Sequence, residues 1–160
     1  LEASYIIFLL QPYYKNISKR LVKSPKLYFY DTGVACSVLG IESSKDISTH
    51  YLRGGLFESM ILSDFFKQRF NNERQPHLYF WRDKVGNEVD AILAAGENLK
   101  AIEIKAGKSI SKNYFSGLEY FSDVNQLPQG DSIVVYAGDE NQKRKLGRVV
   151  SWQLAGNILS

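Results

Sequence analysis

The sequence predicts an α/β fold, and three observations carry the prediction. Short runs rich in β-branched and aromatic residues recur along the chain, "HLYFWRD", "EVDAILAA" and "LKAIEIKA" among them, each bounded by turn residues. Two stretches, 53–70 and 111–124, space their apolar residues as amphipathic helices do. The run "DSIVVYAG" at 131–138 is apolar almost without a break, the pattern of a strand covered on both faces.

The elements follow in order. Residues 5–12 (YIIFLLQP) and 26–30 (KLYFY) read as strands joined through the basic "YYKNISKRLVKSP", a hairpin with a positively charged tip. "DTGVACSVLG" at 31–40 reads as a short helix that Asp31 caps and Gly40 ends. The polar "IESSKDISTHY" reads as a linker. Residues 53–70 carry no proline, and glycine only at their start, so a longer helix follows. Strands are then expected at 77–83, 88–95 and 99–106, with turns at 84–87 and 96–98. A helix at 111–124, a strand at 131–138 and a final strand at 145–154 complete the order α-β-β-β-α-β-β from Arg53.

Bulk composition narrows the function classes. The chain has 160 residues, 44% hydrophobic and 13% aromatic, enough for a packed domain rather than a disordered chain. A net charge of +3 is compatible with a nucleic-acid partner without pointing to one. The single cysteine, Cys36, rules out an internal disulfide framework and a multi-cysteine zinc pattern, and it reads as a small apolar-helix residue rather than a nucleophile. With only His50 and His77, a His-rich metal site is excluded. No apolar run approaches the roughly 20 residues a membrane span needs, and no signal-peptide pattern opens the chain. The expectation is a reduced, soluble, cytoplasmic protein with no membrane partner. The opening "LEASYIIFLLQPYY" lacks an initiator methionine, which reads as a piece excised from a longer protein.

Charges inside apolar strands carry the chemistry. Residues i and i+2 of a strand share a face, so Glu103 and Lys105 point one way while Ile102 and Ile104 point the other. Asp90 lies on the preceding strand, about 4.8 Å away across a short hairpin. Two such carboxylates can share one cation, and hard oxygen donors without histidine or cysteine suit Mg²⁺ or Mn²⁺. The neighbouring lysine can orient a bound water or offset charge on a phosphate. On the 53–70 helix, Ile61, Leu62 and Phe65 form the sheet-facing stripe, and Glu58 sits at its centre. The alternative is an ion-pair ladder on a solvated sheet face, with Glu58 an ordinary surface glutamate.

A helix glutamate, then an aspartate, then E-x-K on two hairpin strands, then a helix, resembles the PD-(D/E)xK nuclease superfamily. The resemblance implies a restriction-endonuclease-like fold, a central mixed β-sheet flanked by helices. It implies Glu58, Asp90, Glu103 and Lys105 as the catalytic set, with Asp90, Glu103, Glu58 and the Ile104 carbonyl holding Mg²⁺ or Mn²⁺. Val89 stands where the family name has proline. A closer likeness runs through "KSPKLYFYDTGVACSVLG", "RGGLFES", "LYFWRDKVGNEVDAIL" and "IEIKAGKS". These resemble the C-terminal region of a family of prokaryotic AAA-type ATPases, a domain of unknown function with a nuclease-like fold. On that likeness residues 1–47 are the end of a winged helix plus a linker, its wing the hairpin at 5–30, and residues 48–160 are the nuclease-like domain. No G-x-x-x-x-G-K-[ST] loop occurs, so ATP would bind only in the preceding ATPase module.

The implied partners are DNA and that module, and an oligomer is allowed. Lys15, Lys19, Arg20, Lys23 and Lys26 are placed to grip phosphates as a wing does, with a solvated loop as the alternative. Arg82 and Lys108 flank the site as further phosphate contacts. "QKRKLGR" at 142–148 reads as a hairpin turn, and Tyr28, Phe29 and Tyr30 as core. The functional alternative to DNA hydrolysis is a nuclease-like module that binds DNA or protein without catalysis.

Overall fold

A computed structural model describes residues 1–14, 24–96, 98–126 and 132–159. Eight strands form one mixed sheet: β1 (Ile7–Pro12), β2 (Lys26–Phe29), β3 (Leu78–Arg82), β4 (Glu88–Ala95), β5 (Asn98–Lys105), β6 (Ser132–Tyr136), β7 (Gln142–Arg144) and β8 (Gly147–Ser151). Their spatial order is β2-β1-β3-β4-β5-β6-β8-β7. The expected first hairpin is present as the antiparallel β1–β2 pair, and β1 also runs parallel to β3, so the hairpin extends the sheet. With the β1–β3 pair, the parallel joins β5–β6 and β6–β8 make the sheet mixed.

Among the described residues four α-helices accompany the sheet: α1 (Thr32–Val38), α2 (Ser44–Thr49), α3 (Arg53–Asn71) and α4 (Ser116–Asn125). Asp31 caps α1 through the Gly33 N–H, as its sequence position predicts. Cys36 is half-buried. The polar stretch expected as a linker holds α2, because Ser43 and Asp46 close a reciprocal capping box around its first turn. The expected final strand is shorter than 145–154. Its first residues complete a β7–β8 hairpin, confirming the turn read into "QKRKLGR". Past Ser151 a 3-10 segment, Trp152–Leu159, buries Ala155, Ile158 and Leu159 in the core on α3's side of the sheet.

The sheet separates two apolar layers. On one face α3 contributes Ile61, Leu62, Phe65 and Phe66, packed with Phe8, Leu10, Phe80, Leu93, Ile102 and Val135. On the other, α4 and the 3-10 turn before it bring Phe115, Leu118 and Phe121 against Trp81, Ile92, Ala101 and Val134. Burying both faces accounts for the nearly unbroken apolar β6, all of whose residues are buried. No helix among the described residues is long and apolar enough to cross a membrane.

β2 is an edge strand, and α3 satisfies its backbone. The Ser59 hydroxyl accepts from the Phe29 N–H at 3.0 Å and donates to the Phe29 carbonyl at 3.1 Å, and Ser63 donates to the Tyr30 carbonyl at 2.5 Å. The first hairpin is thereby fixed to the helix that carries Glu58. On the opposite face, a Cβ on Gly117 of α4 would stand 2.4 Å from the Glu88 carbonyl oxygen. Gly117→Ala should therefore cost about 1–3 kcal/mol in urea unfolding, against the gain that alanine ordinarily gives a helix. An unchanged or raised stability would show that helix and strand do not approach this closely.

Candidate functional site

The site forms where β4 and β5 part. Their ladder runs from Ala95–Asn98 to Ala91–Ile102 and ends there. Beyond it β4 stays with β3, through Trp81–Val89 and Arg82–Glu88, while β5 stays with β6. β4 is also bulged at this point. Tyr79 pairs with Ile92 and Trp81 with Val89, so Asp90 and Ala91 both stand opposite Phe80. Val89 accordingly packs on α4's side and Ala91 on α3's. Asp90 takes up the backbone freed by the parting: its Oδ2 accepts from the Ile104 N–H at 2.8 Å. The Ile104 backbone thus reaches the site through its N–H.

Glu103 and Lys105 lie on one face, as strand alternation predicts, with Lys105 Nζ 2.5 Å from Glu103 Oε1. Lys105 also lies 6.0 Å from the centre of the Tyr114 ring. The second oxygen, Glu103 Oε2, is the one buried side-chain polar atom without a hydrogen-bond partner among the described residues. Ile102 and Ile104 point into the core on α3's side.

α3 presents Glu58 toward β2. The Tyr28 hydroxyl donates to Glu58 Oε1, and Lys26 Nζ lies 3.3 Å from the same oxygen. Lys26 also pairs with Glu88 Oε1 and lies 5.3 Å from the centre of the Phe80 ring. Arg82 Nε reaches Glu88 Oε2 at 3.6 Å. Lys108 is exposed beyond the end of β5. Lys15, Lys19, Arg20 and Lys23 lie outside the described residues. Sequence reading missed Glu88, the hydroxyl of Tyr28 and the inward position of Lys26. Side-chain alternation carries no signal for a lysine that crosses two strands to a carboxylate.

Four carboxylates, Glu58, Glu88, Asp90 and Glu103, therefore share one region with two ammonium groups. Burial, then the charges of Glu103 and Glu58, push Asp90 up to about 8, against the pull of the Ile104 N–H and Lys105. Burial raises Glu103 as well, with Glu58 and Glu88 adding to it and Lys105 opposing. Lys105 is raised: burial pulls it down, and the bond to Glu103 with the surrounding carboxylates outweighs that pull. Among the described residues no three His, Cys, Asp or Glu side chains converge as a metal-binding group. The donors nevertheless fit a hard cation held by two carboxylates and completed by water or phosphate oxygens, with the partnerless Glu103 Oε2 one vacant donor.

The fold and site define an α/β domain with a carboxylate–lysine cluster at a parting of its central strands. The chain belongs to the family described as "Domain of unknown function (DUF4143)", which matches residues 53–155. Residues 1–45 match a second such description, "Domain of unknown function (DUF8612)". Two curated relatives are the uncharacterized proteins Mb2031c of Mycobacterium bovis and Rv2008c of Mycobacterium tuberculosis, each 26% identical over 151 residues. The match covers 88% of this chain and 33% of each relative, so the chain spans about a third of their length. No solved structure matches it.

Asp90 makes stability depend on pH. The folded state keeps this proton up to about pH 8, whereas the unfolded chain releases it near pH 4. Between those values the folded state binds more protons, so raising the pH favours unfolding. In chelator-treated buffer, Asp90→Asn should match the wild type near pH 4 and exceed its stability by ~2 kcal/mol or more at pH 9. Urea unfolding at pH 5, 7 and 9 reads this directly; a difference independent of pH would remove the buried-acid assignment.

Proposed function

We propose that this domain is a divalent-cation-dependent phosphodiesterase acting on DNA, of the PD-(D/E)xK type. The supporting observation is the parting of β4 and β5 at Asp90, which gathers two strand carboxylates and Lys105 in the region that Glu58 faces from α3. Asp90 and Glu103, with the Ile104 carbonyl, would hold Mg²⁺ or Mn²⁺, with Glu58 as the third carboxylate. Such a cation, when bound, polarises a phosphate oxygen and acidifies a water.

The chain's own groups do the rest. Lys105 stays charged under the pull of Glu103 and keeps N–H donors for the phosphate and the attacking water. It orients that water and offsets charge on the phosphate as the bond to the leaving oxygen breaks. Arg82 and Lys108 would contact flanking phosphates, as would Lys15, Lys19, Arg20 and Lys23 of the segment between β1 and β2. By resemblance the domain follows an AAA-type ATPase module, which would bind the ATP.

A specific observation favours a second reading, a nuclease-like module that binds DNA or protein without cutting. Glu58 and Glu88 are already paired with Lys26, and among the described residues no three His, Cys, Asp or Glu side chains form a metal-binding group. Fold alone does not choose between the readings.

Supercoiled plasmid and branched DNA incubated with Mg²⁺ or Mn²⁺ separate them. The first reading expects cation-dependent nicking that Asp90→Ala and Lys105→Ala each reduce by about 100-fold or more. The absence of cutting with either cation, or cutting indifferent to Asp90→Ala, would overturn it. A salt-sensitive DNA affinity that survives Asp90→Ala without cleavage would establish the second.

A further inference from the structure

We propose that the site is composite: Lys26, from the first hairpin, is the built-in cation of the carboxylate cluster and competes with a divalent ion for it. The inference rests on the reading of this cluster as a cation site. Its ground is where Lys26 lies. β2 sits at the sheet edge, separated from β4 by β1 and β3. Lys26 nevertheless spans that distance, passes over the Phe80 ring and places Nζ against both Glu88 of β4 and Glu58 of α3. A long side chain is ordinarily left in water unless a partner repays its lost freedom. Here two carboxylates hold it, and its side chain is only 24% exposed.

The same strand adds Tyr28, whose hydroxyl donates to Glu58. Glu58 is thus held by two groups of β2 and turned toward the hairpin. Serines 59 and 63, on the neighbouring turns of α3, clamp the hairpin backbone in that position. The division of labour follows the two family matches. Lys26 and Tyr28 lie in the segment 1–45, and Glu58, Glu88, Asp90, Glu103 and Lys105 lie in 53–155. The segment 53–155 supplies the carboxylates and Lys105, and the segment 1–45 supplies the ammonium group that joins Glu58 to Glu88.

Two consequences follow from the charges. The ammonium group repels any other cation brought to the cluster, and it occupies Glu58 Oε1, which a cation would otherwise use. Neutralising it while keeping its apolar stem removes both effects. Its charge is held up as the geometry requires: burial pulls its proton affinity down, and Glu58, Glu88 and Asp90 more than offset that.

Calorimetric titration with Mn²⁺ alone tests the proposal on the wild type, Lys26→Met, Lys26→Arg and the double variant Lys26→Met/Glu88→Gln. Lys26→Met should bind Mn²⁺ about tenfold or more tightly than the wild type, since a unit charge within several ångströms is removed. Lys26→Arg, which keeps the charge, should stay near the wild type. The double variant removes one charge of each sign, so its net field is unchanged, but it still frees Glu58 from the ammonium group and should bind more tightly through that carboxylate; the test thus stands even if Lys26→Met fails to fold. Its melting temperature should rise more with Mn²⁺ than that of the wild type. Equal or weaker binding by the neutral variants, with measurable wild-type binding, would overturn the role of Lys26 and leave the cation site standing. No Mn²⁺ binding by any of the four would overturn both.

Discussion

Repulsion among four carboxylates, gathered where β4 and β5 part, is the constraint to which the surrounding structure answers. Glu58, Glu88, Asp90 and Glu103 come from one helix and two strands of the sheet centre, where water can solvate them only in part. Removing a charge from water costs several kcal/mol unless hydrogen bonds or opposite charges replace the solvent. Each group is therefore answered in kind. Asp90 receives a backbone N–H from a strand that no longer pairs there, Glu103 receives Lys105, and Glu58 and Glu88 share Lys26. The compensation is incomplete at Glu103 Oε2, and the proton retained by Asp90 supplies part of what is missing.

This arrangement orders the rest of the molecule. The bulge at Asp90–Ala91 puts Val89 on α4's side and Ala91 on α3's, with Asp90 between them meeting the Ile104 N–H. The first hairpin must dock on α3, because its second strand carries the counter-charge and the hydroxyl that hold Glu58. The apolar layers on both faces keep the parting strands rigid, so the carboxylates cannot relax apart into solvent. A cluster held against its own repulsion is a natural receptor for a cation or for groups that bring one, which gives the proposed phosphodiesterase chemistry its physical basis.

Much of this is legible in the sequence, for identifiable reasons. β3 to β6 were readable because apolar runs and glycine or asparagine turns mark them locally. The sharing of a face by Glu103 and Lys105 follows from alternation alone. Ile61, Leu62 and Phe65 mark the buried side of α3, which is why Glu58 stands out. α2 was hidden because its apolar face is nearly absent, and only the Ser43–Asp46 box announces it. The bulge was hidden because β4 is apolar on both faces, so slipping Asp90 by one position leaves the hydrophobic pattern unchanged. Lys26 was hidden for another reason: its partners Glu58 and Glu88 are distant in sequence, and among basic neighbours it looks like a surface lysine. Tyr28 reads as core, which it is, but its hydroxyl has a separate partner.

In the proposed reading Asp90 and Glu103 hold one cation between them. Anomalous diffraction from crystals soaked in Mn²⁺ tests it most directly. The predicted result is a manganese peak between the Asp90 and Glu103 carboxylates, with Lys105 beside it. A site without manganese, with Lys105 turned away from Glu103, would contradict it.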